Sequence, residues 1–139
     1  MTARIRTDVE QTLTLFAREG LIYTCVDEPQ GTPSSVPSIL AATSPQLALV
    51  RMHGRNAARW QRGATSAAQR FGYLYAVDDL RAWAPSFVRL ADRVDEVHVL
   101  FNNCYADYAV RNARELAVEL EHLTAVPAYS LSGSPAPMC

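Results

Sequence analysis

Short apolar runs alternate along the chain with stretches in which apolar residues recur every three or four positions. Val9, Leu13 and Phe16 show helical spacing and predict a helix over residues 8–19. Thr7 with Glu10 forms a capping box at its start, and Gly20 supplies the stop. Residues 21–27 (LIYTCVD) are rich in β-formers and read as a strand. Turn residues over 29–37 lead into a brief helical stretch ending at Ala42. A second strand covers 47–53 (LALVRMH), and Gly54 breaks it. Asn56 and Ser66 read as caps of two short helical turns, the latter with Gln69 in capping-box position. Asp78 caps a helix to about Arg93, with Leu80, Trp83, Phe87 and Leu90 on one side and Pro85 placed to kink it. Residues 97–102 (VHVLFN) form the third strand. Asp107 caps the last helix, whose Ala113, Leu116, Ala117, Leu120 and Leu123 make its buried stripe. A domain over 1–123 is thus followed by a Pro-, Ser-, Gly- and Ala-rich tail, 124–139, expected to be disordered.

Strands alternating with helices in this order predict an α/β fold of three parallel strands with flanking helices. Right-handed crossovers put the helices on one face, so the other face needs a different cover. In a closed (β/α) barrel that face is the interior, and three strands cannot close one. The expectation is therefore the C-terminal portion of a TIM-like (β/α) barrel. Alternation assigns the faces. Val97, Val99 and Phe101, Val50 and Met52, and Ile22, Thr24 and Val26 are assigned to the helices. His98, Leu100 and Asn102, Leu49, Arg51 and His53, and Tyr23, Cys25 and Asp27 are assigned to the interior. Asp27, His53 and Asn102 then end their strands at the edge where barrel enzymes build their sites.

Composition narrows the setting. No apolar run reaches the ~18 residues a membrane helix needs, and the first ten residues lack a signal core, so a cytoplasmic protein with no membrane partner is expected. Cys25, Cys104 and Cys139 have no paired spacing, which argues against a disulfide framework. All 13 basic residues are Arg, and no acidic residue lies between Glu28 and Asp78. Arg51, Arg55, Arg59, Arg62 and Arg70 fall in that stretch, interleaved with Trp60, Phe71, Tyr73 and Tyr75. Guanidinium forks suit phosphate or carboxylate, and aromatic faces suit sugar rings. The same arginines could instead pair with acids elsewhere in the fold. A pI near 6.3 speaks against a general nucleic-acid surface.

No P-loop, dinucleotide glycine fingerprint, nucleophile elbow or HExxH occurs, and no cofactor is expected. Asp27 and His53 with a remote Cys104 are too few for a metal site, so none is expected. Cys104 and His53 could pair as nucleophile and base, although a buried inert thiol is the commoner outcome. His98, low on its strand, reads as a satisfied core histidine. His53 is the candidate general acid/base, with Asp27 orienting it. Arg51, whose one obvious partner in the chain is Asp27, and Arg55 are candidates to hold an anion. Asn102 and Asn103 could donate to a ligand oxygen, and Tyr73, Tyr75 or Tyr105 could stack or hydrogen-bond.

Two stretches carry a family resemblance: 50–56 (VRMHGRN) and 97–113 (VHVLFNNCYADYAVRNA). With Tyr73-Leu74-Tyr75, the segment 79–85 (DLRAWAP), and Cys25-Val26-Asp27 with its following Pro-Gln-Gly and Pro-Ser-Ser, they resemble the C-terminal half of the domain-of-unknown-function 72 family, also called YecE-like. The resemblance implies a TIM-barrel-like fold of ~250 residues. It implies no activity, because that family is named for having none assigned. Its motif residues map onto Arg51, His53, Gly54, Arg55, Asn102, Asn103, Tyr105, Asp107 and Asn112, with Met52 where Phe is expected. The leading expectation is an enzyme, or part of one, that binds a small anionic or sugar-like molecule at the barrel mouth. A non-catalytic binding or structural module, and an inactive truncated remnant that self-associates through its open sheet face, stay open beside it.

Overall fold

The computed structural model describes residues 3–32, 35–60 and 66–125. Helix α1 (Ala3–Arg18) leads to strand β1 (Thr24–Asp27), then β2 (Leu47–Met52) and two single-turn helices, α2 (Ala57–Trp60) and α3 (Ala67–Arg70). Helix α4 (Val77–Ala91), strand β3 (Glu96–Phe101) and helix α5 (Tyr108–Thr124) complete the order. Helix α1 starts before the expected capping box, so Thr7 lies inside it, and Gly20 at φ +67° ends its last turn. No helix forms over residues 38–42. Of the tail expected over 124–139, Thr124 ends helix α5 and Ala125 caps it, and residues 126–139, with Cys139, lie outside the described residues.

The three strands form one parallel sheet in the order β1-β2-β3. Residues opposite each other in a parallel pair share a face. Cys25, Val50 and Val99 are therefore on one face, as are Asp27, Met52 and Phe101. This face meets the helices, and its centre is buried: Cys25, Val50 and Met52 pack with Leu80, Ala84, Phe87 and Leu90 of α4 and Leu116 of α5. Thr24, Leu49 and His98, then Val26, Arg51 and Leu100, lie on the opposite face. No described helix covers that side at Leu100, which is 46% exposed.

For β2 and β3 the observed faces are those the alternation predicts. For β1 they are reversed: Cys25 and Asp27 go to the helices, while Thr24 and Val26 go to the open side. The observed strand is only TCVD, with one small and one polar or apolar residue on each face, so its own pattern cannot set the register. A one-residue shift flips every side chain, and the pairing with β2 decides. Tyr23 and Ile22 precede the strand; the Tyr23 N–H donates to Thr43 Oγ1 (2.9 Å) and its ring meets Phe16 edge-on.

Helix α4 begins at Val77, not at a cap on Asp78. Asp78 and Asp79 occupy its first turn, where carboxylates favour the positive end of the dipole, and Asp79 Oδ2 accepts from the Ala76 N–H at 3.3 Å. Pro85 sits within the continuous helix, between Trp83 and Phe87, whose rings stack at 5.5 Å. Asp107 precedes α5 without making a side-chain cap bond. The buried stripe of α5 is also rotated from the expected one. Asn112, Leu116 and Glu119 are buried, whereas Ala113, Ala117 and Leu123 are exposed.

Polar partners explain the rotation. Glu119 receives Arg81 of α4 through two hydrogen bonds, 3.0 and 3.2 Å. Asn112 uses its whole amide. Oδ1 accepts from the Tyr75 N–H (3.0 Å) and from Asn103 Nδ2 (2.8 Å), and Nδ2 donates to the Tyr75 carbonyl (3.0 Å) and to Glu115 Oε2 (2.8 Å). The side chain thus acts as a neighbouring strand for residue 75, which has no ladder of its own. Removing it should leave buried backbone groups of Tyr75 unpaired, so Asn112→Leu is expected to lower stability by about 3 kcal/mol. Asp107→Ala, which removes no cap bond, should change stability by less than about 0.5 kcal/mol. Urea unfolding of both variants checks the pair; equal midpoints would contradict the role given to Asn112.

Candidate functional site

The C-terminal ends of the strands stay in register beyond the sheet. The His53 N–H donates to the Asp27 carbonyl (2.9 Å) and the Asn102 N–H to the Met52 carbonyl (2.8 Å). Gly54 follows at φ +87°, and a Cβ there would lie 2.6 Å from Cβ of Tyr73. Only glycine fits this turn, which brings the loop after β2 against the 73–75 segment.

Two separate polar groups result. The first lies on the helix-covered side. Asp27, 3% exposed, accepts Nε of Arg55 on both oxygens (3.1 and 3.0 Å) and the Tyr75 hydroxyl on Oδ2 (2.7 Å). The Tyr75 hydroxyl in turn accepts the Gly54 N–H at 2.8 Å. Arg55 also reaches Asp79 at 3.6 Å. Burial, then the Asp27 charge and hydrogen bond, pushes the Tyr75 hydroxyl far above the usual phenol range, so it stays a donor. Burial works against the Arg55 charge, and Asp27 more than offsets it, so its pKa rises. Neighbouring Glu28 is also buried and accepts the Val36 N–H at 2.6 Å.

Asp27 was expected in the interior as the carboxylate partner of His53 and Arg51. Its register places it on the other face, and its carboxylate is engaged by Arg55 and Tyr75. Asn103 is fully buried and donates to the Tyr73 carbonyl (2.9 Å) and to Asn112. Tyr73 packs edge-on against Tyr75 at 4.9 Å.

The second group lies on the open face. Arg51 is half-buried, and its Nε donates to Asn102 Oδ1 at 3.2 Å. Among the described residues no carboxylate lies within ion-pair distance of it. His53, also half-buried, stacks on Phe71 at 5.3 Å and meets Trp60 edge-on at 6.2 Å. Arg70 caps the cluster, 4.7 Å from the centre of the Trp60 ring. Nδ1 of His53 and Nε1 of Trp60 are buried without a hydrogen-bond partner among the described residues. Burial, then the charges of Arg51 and Arg70, pushes the His53 pKa below its ordinary 6.5, although Glu28 and Asp27 pull the other way. Sequence reading noted Trp60, Phe71 and Arg70 only as members of an acid-free stretch. Their assembly around His53 depends on the fold of α2 and α3.

The remaining expectations divide. Cys104 is exposed, not a buried thiol, and its Sγ–H donates to the Asn102 carbonyl (3.1 Å). His98 is not in the core: its side chain is 52% exposed and bonded to Glu96 Oε2 at 2.9 Å. Tyr105 lies apart from Arg51, in a pocket with Arg59 and Tyr108. Among the described residues no group of three or more His, Cys, Asp or Glu is placed to hold a metal ion, and no helix is long and apolar enough to cross a membrane.

The lowered His53 pKa has a direct consequence for stability. Below pH 6.5 the unfolded chain binds a proton that folded His53 resists, so stability falls as pH drops from 6.5 through the folded value and is retained above 6.5. Urea unfolding between about pH 4.5 and 7.5 should show a positive slope with pH in that window, and His53→Gln should flatten it. An unchanged slope in the variant would contradict the burial of His53.

Comparison with known proteins follows the same pattern of partial coverage. The family described as "Protein of unknown function DUF72" matches residues 5–136. The UPF0759 protein YunF of Bacillus subtilis is 36% identical over 110 residues, covering 77% of this chain and 39% of that protein. A crystal structure of a DUF72 family protein from Enterococcus faecalis superposes with TM-score 0.74 at 28% identity, over 94% of this chain and 46% of the other. One from Thermotoga maritima gives 0.72 at 32% identity, over 80% and 41%. The chain spans less than half the length of each of these relatives. With its family match over nearly the whole sequence and its fold shared with two solved members, the chain belongs to the DUF72 family of proteins of unknown function.

Proposed function

We propose that these residues form the C-terminal portion of a TIM-like (β/α) barrel whose mouth binds a small anionic, sugar-like ligand on Arg51. The sequential strand order supports the barrel, since doubly wound sheets reverse order at a switch point. The one-sided helices and the bare opposite face support it as well, as do relatives about twice as long. On this reading the open face is the barrel interior, covered by further barrel strands or, for this chain alone, by a second copy. Free thiols at Cys25 and Cys104 suit a reducing, cytoplasmic setting.

The observation that carries the ligand reading is Arg51. A half-buried guanidinium below a strand end, oriented by Asn102 and lacking a carboxylate among the described residues, is a receptor for an anion. Asn102 keeps its Nδ2 free to donate to a ligand oxygen, because its Oδ1 serves Arg51. His53 is neutral at neutral pH and sits beside that charge, so it can take a proton from a bound hydroxyl and return it. Arg55, Asp27, Tyr75 and Asn103 hold the loops in place and act through position. Their mutual engagement also favours the second reading, a binding module without catalysis, in which no proton transfer by His53 is needed.

Inorganic phosphate is the simplest probe. At about ten times its Kd it should add about 1.4 kcal/mol to stability. Arg51→Ala should abolish that increment with little effect on the unliganded protein. Arg55→Ala should instead lower the unliganded stability by about 1–3 kcal/mol and keep the phosphate increment. Thermal or urea unfolding reads both, and a phosphate increment as large in Arg51→Ala as in the wild-type chain would overturn the assignment.

A further inference from the structure

A second concave site opens between the loops that follow β2 and β3, outside the Arg51–His53 group. It is a cavity of about 380 Å³ lined by Asn56, Arg59, Gln69, Gly72, Tyr105 and Tyr108, among others. Its floor is fixed: Asn56 Nδ2 donates to the Gly72 carbonyl at 3.0 Å and ties the two sides together. Gly72 keeps the cavity open, because a Cβ there would press to 3.0 Å from the Ala68 carbonyl and 3.6 Å from Cβ of Tyr105.

Three of its side chains are open to a ligand. Arg59 is exposed, and neither its guanidinium nor the hydroxyls of Tyr105 and Tyr108 have a hydrogen-bond partner among the described residues. The two phenol rings meet at 5.3 Å, tilted by 55°, so each presents a separate edge or face. A strained but hydrogen-bonded turn joins them. Ala106, between them, has φ +47°, an unfavourable conformation for a residue with a Cβ, within a turn closed by the Tyr108 N–H donating to the Tyr105 carbonyl (3.1 Å). Arg59 is the one charged side chain in the cavity's lining, and Asp107 stands between Tyr105 and Tyr108 in sequence.

We propose that this cavity is a binding site for a phosphorylated ring compound, either a sugar phosphate or a nucleotide. Arg59 takes the phosphate through its planar fork. Tyr105, half-exposed, offers its face to the ring, and the Tyr108 hydroxyl donates to a ring substituent. The cavity is at the lower end of the size range for small-molecule sites, which suits a ligand of one or two rings. Its position at the C-terminal ends of parallel strands is where α/β sheets place their ligands. It is independent of the anion site at Arg51, which is on the open sheet face.

Titration calorimetry on the 139-residue chain carrying Arg51→Ala, which removes the other anion site, tests this with three probes: ribose 5-phosphate, AMP and inorganic phosphate. Ribose 5-phosphate should bind with Kd below about 1 mM, at least about tenfold tighter than inorganic phosphate. AMP binding more tightly than ribose 5-phosphate would identify a nucleotide site; equal or weaker binding would identify a sugar phosphate site. Adding Arg59→Gln or Tyr105→Ala should weaken binding at least about tenfold. Both side chains are exposed, so unchanged circular dichroism should show that the variants stay folded. Binding that ignores both substitutions, no preference over inorganic phosphate, or no binding in the Arg51→Ala background would overturn the proposal.

Discussion

A parallel sheet needs cover on both faces, and among the described residues the long helices α4 and α5 pack on one face of this one while Leu100 on the other is half-exposed. The rest of the molecule follows from that division. The covered face pairs most of the polar groups it buries: Asp27 is locked by Arg55 and Tyr75 and Glu28 by a backbone amide, while Oδ1 of Asn103 has no partner among the described residues. The open face carries the groups that find no such closure, with Arg51 held by one asparagine and His53 wrapped in aromatic rings. Structure and candidate chemistry therefore separate across the sheet.

The lock on Asp27 reaches further than its two partners. Tyr75 contacts Asp27 through its hydroxyl and Asn112 through its backbone, while Asn112 also engages Asn103, which holds the Tyr73 carbonyl. One chain of hydrogen bonds thus runs from the end of β1 through the 73–75 segment to the start of α5. Residues that stand out in sequence as a motif serve here to fix loops around the strand ends. Partial satisfaction would be costly in such a buried network, which gives a physical reason for several of its members to be asparagine or tyrosine, residues able to bond at more than one atom.

Much of this was legible in the sequence, where the physics is local. The alternation in LALVRM and EVHVLF is strong, and the faces of β2 and β3 follow from it. In TCVD the two faces carry equivalent patterns, so only the pairing with β2 could place Asp27 on the covered side. The stripe of α5 failed for a related reason. Ala113 and Ala117 look more buriable than Asn112 and Glu119 until the Tyr75 backbone and Arg81 are in place to receive them. Arg51 lies on the face that the alternation predicts, but its partner is Asn102 and not Asp27, because Asp27 is turned away. The Arg59–Tyr105–Tyr108 cavity depends on a left-handed turn at Ala106 that no residue preference announces.

The bare face is the central claim, and its most direct test is the mass of the 139-residue chain in solution, measured by sedimentation beside Leu100→Glu. Leu100 is half-exposed on that face, on the edge strand β3 opposite Arg51 in the register. The account predicts that the chain self-associates and binds an apolar dye, and that the charged variant sediments as a folded monomer. A wild-type chain that is monomeric, unfolds cooperatively and shows no dye-binding surface would contradict it, because the sheet would then need no second cover.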